Sequence, residues 1–136
     1  MQLETHLTFN GQCEEAFRFY EKCLGGKITM MMRNSDAPMP QPPSPEMRDK
    51  IIHATLTLDG RQLAGADMDP QQYRKPEGFS VILNLSDPAQ AERVFAALAE
   101  KGSVRMPMQE TFWALRYGSL TDRFGIPWEI NCGKPA

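Results

Sequence analysis

The sequence repeats itself, and this repeat limits the folds that the chain can adopt. After Gln12 and again after Asp87, apolar residues recur at the spacing of one face of an amphipathic helix. A shift of 75 positions superimposes the first set on the second: Ala16, Phe19, Tyr20, Cys23 and Leu24 on Ala91, Val94, Phe95, Leu98 and Ala99. The matches predict two copies of one supersecondary unit.

The segments around the first helix predict one strand before it and three after it. Leu3 to Phe9 alternates apolar and polar residues, as a half-buried strand does. Lys27 to Arg33 is the next predicted strand, and Ile51 to Leu58 pairs with Arg61 to Asp67 in a predicted hairpin. Between them, the segment 34–45 contains five of the eleven prolines, which favours a long surface loop.

The second copy shows the same order after a linker from Met68 to Gly78. Asp87 is a good N-cap for a helix that has Pro88 in its first turn, and Gly102 ends that helix. The predicted strands of this copy are Phe79 to Leu85, Val104 to Glu110, Phe112 to Leu120 and Ile126 to Cys132. Because each copy alone would leave one sheet face bare, the two copies are expected to roll their sheets around a shared concave surface.

Composition narrows the class of protein. A chain of 136 residues suits one domain, with a first module at about 1–68 and a second at about 77–133. A net charge of -2 argues against nucleic acid as a partner, and no window is apolar enough to span a membrane. The three cysteines form neither a disulfide framework nor a zinc knuckle, so a cytoplasmic location is expected.

Four segments carry a resemblance to a known family: Phe9 to Ala16, His53 to Leu56, Phe112 to Gly118, and Thr121 to Ile130. Together with the tandem repeat, they resemble the PhnB-like branch of the vicinal oxygen chelate superfamily, which includes glyoxalase I, extradiol dioxygenases and bleomycin-binding resistance proteins. The resemblance implies an α+β fold of tandem βαβββ modules that form a half-barrel cleft, and a homodimer. The branch often carries a ubiquinone-methyltransferase name, which the sequence does not support because it lacks a Gly-rich strand-to-helix turn.

The resemblance also implies four inward-facing positions for a metal centre. They fall on Thr5, Ala64, Ser80 and Glu129, with Phe79 in place of Ser80 if the register differs by one residue. Of these only Glu129 is a competent ligand, and a catalytic divalent ion typically takes about three protein ligands. No cofactor is therefore expected, although a divalent metal bound through other ligands stays open.

Two histidines and one carboxylate are the candidate ionisable groups of the cleft. His6 is expected to point away from the cleft if Thr5 points into it, because strand side chains alternate. His53 shares a face with Thr55, so it lines the cleft or faces solvent. Glu129 lies between apolar neighbours and is a candidate general base; alternatively, it forms a structural ion pair with Arg116.

The last strands carry a group of aromatic residues. Trp113, Tyr117 and Trp128 with Arg116 are candidates for an aromatic wall with a cationic handle, although core packing explains Trp128 more simply. Trp113 is the residue expected to contact a ligand or a partner subunit.

Three functions are consistent with these features. The first is a small-molecule-binding homodimer that uses the sheet cleft without the usual metal centre. The second is an isomerase or lyase acting on an oxygenated substrate, with Glu129 as base and His53 or Arg116 stabilising an enolate-like intermediate. The third is an antibiotic-sequestering protein with an aromatic groove at the dimer interface.

Overall fold

A computed structural model describes residues 1–135 of the chain. Over these residues the chain forms eight strands and two α-helices. The strands are β1 (Thr5–Phe9), β2 (Lys27–Arg33), β3 (Ile51–Leu58), β4 (Arg61–Asp67), β5 (Val81–Leu85), β6 (Ser103–Gln109), β7 (Ala114–Thr121) and β8 (Pro127–Gly133), and the helices are α1 (Cys13–Leu24) and α2 (Pro88–Ala99). None of these helices is long and apolar enough to cross a membrane.

The chain forms two compact units, Met1–Arg74 and the segment that begins at Lys75. Each unit contains one helix and a four-stranded mixed sheet, with strand orders β1-β4-β3-β2 and β5-β8-β7-β6. In each unit the first strand is parallel to the last, and the other neighbours are antiparallel. The α+β class and the tandem βαβββ modules are thus confirmed, while a cleft shared by the two modules stays a prediction.

The first helix buries a different stripe from the one expected. Its buried residues are Cys13, Ala16, Phe17 and Tyr20, whereas Phe19, Cys23 and Leu24 are only partly covered. The shift has a cause that is distant in sequence, because the Asp67 carboxylate at the end of β4 accepts the Cys13 backbone N–H at 2.9 Å and holds the first turn against the sheet. Burial, followed by the charges of Asp67 and Glu14, raises the pKa of the Cys13 thiol far above its usual range, as expected for a packing residue.

The second helix follows the sequence pattern closely. Asp87 caps it, accepting the Ala89 backbone N–H at 3.1 Å, and Pro88 begins the first turn. Its buried face consists of Ala91, Val94, Phe95 and Leu98. Four of the five predicted core positions of this helix are therefore confirmed.

Some predicted strands begin too early. β1 begins at Thr5, since Leu3 is fully exposed, and β7 begins at Ala114 rather than at the exposed Phe112. A turn precedes β7, in which the Ala114 backbone N–H donates to Thr111 Oγ1 at 3.0 Å. The proline-rich segment 34–45 forms no strand, and its one helical piece is a short 3-10 turn at Asn34–Asp36.

Each helix packs on its sheet at a glycine. A methyl group added at Gly65 on β4 would lie 2.6 Å from the Phe17 ring, and one added at Gly118 on β7 would lie 2.8 Å from the Phe95 ring. The absence of a side chain lets each aromatic ring lie directly on the strand backbone. The helix-covered face of each sheet is fixed by this contact.

A buried carboxylate organises the turn between β7 and β8. Asp122 is 3% exposed and accepts the backbone N–H groups of Phe124 and Ile126 at 2.8 and 3.0 Å. Its other oxygen accepts the indole N–H of the fully buried Trp128 at 2.9 Å. The turn and the core of the second unit therefore meet at one side chain.

Gly118→Ala tests the contact between helix and strand. Because the added methyl would overlap Phe95 and Met108, we expect the free energy of unfolding to fall by about 1–3 kcal/mol in urea titrations. Gly133→Ala is the matched control, since no atom lies within 4 Å of the position of its added methyl, and it should change stability by less than about 0.5 kcal/mol. Equal effects of the two substitutions would contradict this packing.

Asp122→Asn tests the buried carboxylate. An amide offers one acceptor oxygen in place of two, so at least one buried N–H group would face a donor. We expect a loss of about 2–4 kcal/mol of unfolding free energy in urea. The exposed Asp36→Asn serves as control, and a loss at Asp122 no larger than at Asp36 would show that the carboxylate does not hold the turn.

Candidate functional site

In each unit, one sheet face is covered by the unit's own helix and the other is not. We call the second one the open face. Residues that pair directly on neighbouring strands lie on the same face, so the strand register decides which side chains each open face carries. The two open faces are the candidate sites.

The register of the first unit places His6 on its open face. His6 and Thr55 both pair with Ala64, whereas Ala54 pairs with Gly65, which lies against Phe17 of the helix. Thr5 pairs with Leu63 and shares the parity of Leu7 and Phe9, whose side chains are buried. The predicted orientations of Thr5 and His6 are therefore wrong. The signal was in the sequence, because the apolar residues Leu7 and Phe9 assign the odd-numbered side chains of this strand to the core.

His53 has the expected orientation. Its Nε2 lies 3.2 Å from Thr55 Oγ1, so the two side chains share the open face with Ala64. Any role of His53 in binding stays a prediction.

The second unit has an open face with more polar groups. Tyr117 pairs with Asn131, Ser119 with Glu129, and Thr121 with Pro127, while the intervening residues Gly118, Leu120, Trp128 and Ile130 pack toward the helix. On the other side of β8, Ile82 pairs with Glu129 and Asn84 with Asn131. Ser80 precedes the first residue of β5, so the side chain beside Glu129 is Ile82 and the predicted position of Ser80 is wrong.

Glu129 is bound by a tyrosine. The Tyr117 hydroxyl donates a short hydrogen bond to Glu129 Oε1. This bond, then burial and the negative charge of Glu129, raise the pKa of Tyr117 to about 12, with the charge of Arg105 opposing the shift. Tyr117 is therefore protonated at neutral pH. Within residues 1–135, Glu129 Oε2 accepts no hydrogen bond.

Arg116 does not reach Glu129. Its Nε lies 3.2 Å from Glu92 Oε1 on α2, and it pairs in the sheet with Cys132, whose side chain is buried under the helix. The proposed Arg116–Glu129 ion pair is therefore wrong, and Arg116 lies on the opposite face from Tyr117. Strand alternation explains this placement, since Arg116 and Tyr117 are adjacent in sequence.

A chain of hydrogen bonds crosses the open face of the second unit. Trp113 Nε1 donates to Asn131 Oδ1 at 3.2 Å, and Asn131 Nδ2 donates to Asn84 Oδ1 at 3.1 Å. The Trp113 ring also meets the Tyr117 ring edge to face, with 5.3 Å between centroids. The two asparagines were missed from the sequence, although Asn131 is two residues from Glu129 on one strand and must share its face.

The donor set does not fit the metal centre of the superfamily. Among residues 1–135, no three His, Cys, Asp or Glu side chains are grouped so that they could hold an ion. In the first unit His6 lies beside Ala64, and in the second Glu129 lies beside Ile82. Where its first strand pairs with its last, each unit thus supplies one side chain able to bind a metal and one apolar side chain.

Comparisons with known proteins place the chain in a family. The family model described as 3-demethylubiquinone-9 3-methyltransferase matches residues 1–131. Protein YjdN of Escherichia coli (strain K12) is 31% identical over an alignment 142 positions long. The alignment covers 98% of this chain and 97% of the relative. The crystal structure of protein PA1353 from Pseudomonas aeruginosa has a TM-score of 0.92 and 43% identity over 99% of each chain.

More distant structures share the fold. A Bacillus cereus protein, described as a putative 3-demethylubiquinone-9 3-methyltransferase and PhnB protein, has a TM-score of 0.81 and 24% identity over 98% of this chain and all of its own. A glyoxylase/bleomycin resistance protein/dioxygenase domain from Frankia has a TM-score of 0.67 and 15% identity over 98% of each chain. The resemblance drawn from the sequence motifs is thereby confirmed. The chain belongs to the 3-demethylubiquinone-9 3-methyltransferase family, and it shares the fold of the glyoxylase/bleomycin resistance protein/dioxygenase domain.

Proposed function

We propose that the open face of the second unit binds a small planar molecule, using aromatic contacts and hydrogen bonds in place of the usual metal centre. The observation that supports this most directly is the exposed Trp113 ring, which Asn131 holds in one orientation beside Tyr117. A ring that is fixed in advance loses little conformational entropy when a ligand stacks on it.

The aromatic part of the site is unusually exposed. Trp113 is 45% and Phe112 is 89% exposed, and their rings meet edge to face with 4.9 Å between centroids. Ile82, which is 48% exposed, extends the apolar surface on the same face beside Glu129. Apolar side chains grouped in this way favour a planar apolar ligand.

The polar part offers both kinds of hydrogen-bonding group. Glu129 Oε2 is an available acceptor, and the Asn84 amide donates to no group among residues 1–135. A ligand that places a donor near Glu129 and an acceptor near Asn84 would satisfy both. The ligand that suits this face is therefore a planar molecule with polar substituents on one edge.

Methyl transfer, the activity in the family's description, finds no support in these residues. Methyl-donor sites commonly use a Gly-rich turn between a strand and a helix, and the turns before α1 and α2 are Asn10-Gly11-Gln12 and Ser86-Asp87. A homodimer and a cytoplasmic location belong to the proposal as expectations from the sequence. Antibiotic sequestration is a special case of the same binding function and depends on the dimer.

Asn131→Ala tests the binding site. A library of planar, polar-substituted aromatics is screened by thermal shift, and the dissociation constant of each hit is measured by tryptophan fluorescence. Trp113 is the exposed reporter, since the other tryptophan, Trp128, is fully buried. Because the substitution removes two hydrogen bonds that orient the site, we expect binding to weaken about tenfold.

The matched control is Asn10→Ala, which removes an exposed asparagine from the first unit. Binding to this variant should equal that of the unaltered chain. Hits that bind Asn131→Ala and the unaltered chain equally, or a library without a hit, would count against the proposed site.

A second candidate function is supported by the unengaged oxygen of Glu129. A carboxylate with one oxygen fixed by Tyr117 and the other facing the open side is suitably placed to remove a proton next to a carbonyl group, as an isomerase or lyase requires. The position of Glu129 therefore suits a general base, whereas Arg116 lies on the opposite face of the sheet and does not stabilise the intermediate.

Glu129→Gln distinguishes the two functions. If Glu129 is a base, the chain should catalyse deuterium incorporation into a panel of α-hydroxy ketones in D₂O, followed by NMR. We expect the substitution to lower this rate at least about a hundredfold. Incorporation at the buffer rate with the unaltered chain, or at an unchanged rate with Glu129→Gln, would leave binding as the function.

A further inference from the structure

An open cavity of about 230 Å³ lies at one edge of the second unit. The segment from Lys75 to Phe79, which precedes β5, forms one wall. The remainder is lined by Arg105 on β6, Thr121 on β7, Gly125 in the β7–β8 turn and Pro127 on β8. The Thr121 to Ile130 motif supplies Thr121, Gly125 and Pro127 to this lining, whereas the sequence analysis did not single out Lys75 or Arg105.

The cavity is continuous with the open face of the second unit. Thr121 pairs with Pro127, and this pair is two residues along the strands from the pair of Ser119 and Glu129. Two residues of a strand span about 7 Å, so the cavity begins one row of side chains away from Glu129. The Arg105 charge also lowers the pKa of Tyr117, which lies in the row beyond that of Glu129.

The cavity lining carries a net positive charge. Among residues 1–135, neither Lys75 nor Arg105 forms an ion pair, although both line the cavity. Two other arginines of this unit, Arg116 and Arg123, are paired with glutamates. Glu77 is the one acidic side chain of the lining, so the two cations outweigh it. A concave surface with unpaired cations attracts anions.

Two further groups suit an oxyanion. Gly78 has a φ of 78°, and nothing lies within 4 Å of the position where a Cβ would be, so a ligand atom can approach the backbone there. The Thr121 hydroxyl, which no hydrogen bond engages within residues 1–135, also faces the cavity. Guanidinium, ammonium and hydroxyl donors together are typical of carboxylate and phosphate recognition.

The size of the cavity decides how much of a ligand it takes. Pockets that enclose a whole drug-sized ligand are commonly about 300–1,000 Å³, so a cavity of about 230 Å³ suits one functional group. We propose that Arg105 and Lys75 form a subsite for a carboxylate or phosphate group of the ligand, one row of side chains from Glu129. The inference deepens the proposed function. It rests on that function only for the part of the ligand that lies outside the cavity.

Titration with simple anions tests the subsite by itself. Inorganic phosphate and acetate are added separately at constant ionic strength, and backbone amide shifts are followed by ¹H–¹⁵N NMR. We expect saturable shifts at Gly78, Thr121 and Gly125, which line the cavity. Arg105→Gln should weaken binding of the preferred anion at least about fivefold, because a direct ionic contact is lost. The anion that binds more tightly identifies the group as phosphate or carboxylate.

Arg93→Gln is the matched control, since it removes an exposed arginine of α2 that lies outside the cavity. It should leave the anion titration unchanged, and Lys75→Gln should resemble Arg105→Gln in direction. Equal binding by Arg105→Gln and Arg93→Gln, the absence of saturable shifts at the cavity, or shifts spread over all basic residues would overturn the subsite.

Glu129→Gln separates this inference from the proposed function. Because Glu129 does not line the cavity, its loss should leave the cavity shifts in place while it alters binding or chemistry at the neighbouring row. Loss of the cavity shifts in Glu129→Gln would mean that the anion binds elsewhere on the open face, which also overturns the subsite. If no anion binds at the cavity while planar aromatic molecules still bind the open face, the subsite alone would be overturned.

Discussion

The candidate site of the second unit depends on the hydrogen bonds of one buried carboxylate. Asp122 accepts two backbone N–H groups of the β7–β8 turn and the indole N–H of Trp128, so the turn is fixed from inside the core. A fixed turn sets the register of the two strands it joins, and a slip of one residue would move every side chain of a strand to the other face. That register places Tyr117 and Glu129 together on the open face and gives the tyrosine its raised pKa. The chemistry of the site is therefore a consequence of a contact on the opposite side of the sheet.

The first unit repeats the architecture but not this anchor. There the carboxylate of Asp67, at the end of β4, accepts the backbone N–H groups of Cys13 and Ile51 at 2.9 and 2.8 Å, and so joins the start of α1 to the start of β3. Gly65 and Gly118, in contrast, serve the same purpose in both units by letting an aromatic helix residue lie on a strand. The repeat is thus conserved where the helix must pack on the sheet, and it differs where loops of unequal length must be held. The open faces have diverged as well, since the first carries histidines and threonines and the second a carboxylate, a tyrosine and amides.

Local patterns in the sequence predict the elements well and the site less well. The bounds of β2, β3 and β4 and the cap of α2 follow from alternation, turn residues and an N-cap, all of which act over a few residues. Alternation also predicts the correct faces of Thr5 and Arg116, because each lies an even number of positions from buried residues on its own strand. The Tyr117–Glu129 bond is different in kind, since it joins two strands and requires a register that depends on the buried Asp122. The α1 stripe likewise depends on Asp67, 54 positions away along the chain, and no local pattern contains that contact.

The residues at which the first strand of each unit pairs with the last bear on the proposal that a ligand is recognised elsewhere on the sheet. His6 and Glu129 each have an apolar side chain, Ala64 or Ile82, at the directly paired position, so neither unit forms a pair of ligands there. In the second unit the polar groups are instead distributed over β5, β7 and β8. Asn131 bonds both Asn84 and Trp113, and Tyr117 bonds Glu129 and meets the Trp113 ring. Such groups select a ligand by shape and hydrogen-bond pattern, because amides and phenols bind divalent ions weakly compared with several carboxylates and imidazoles. A face of this composition therefore suits the proposed direct recognition of the organic part of a ligand, on a fold shared with the glyoxylase/bleomycin resistance protein/dioxygenase domain.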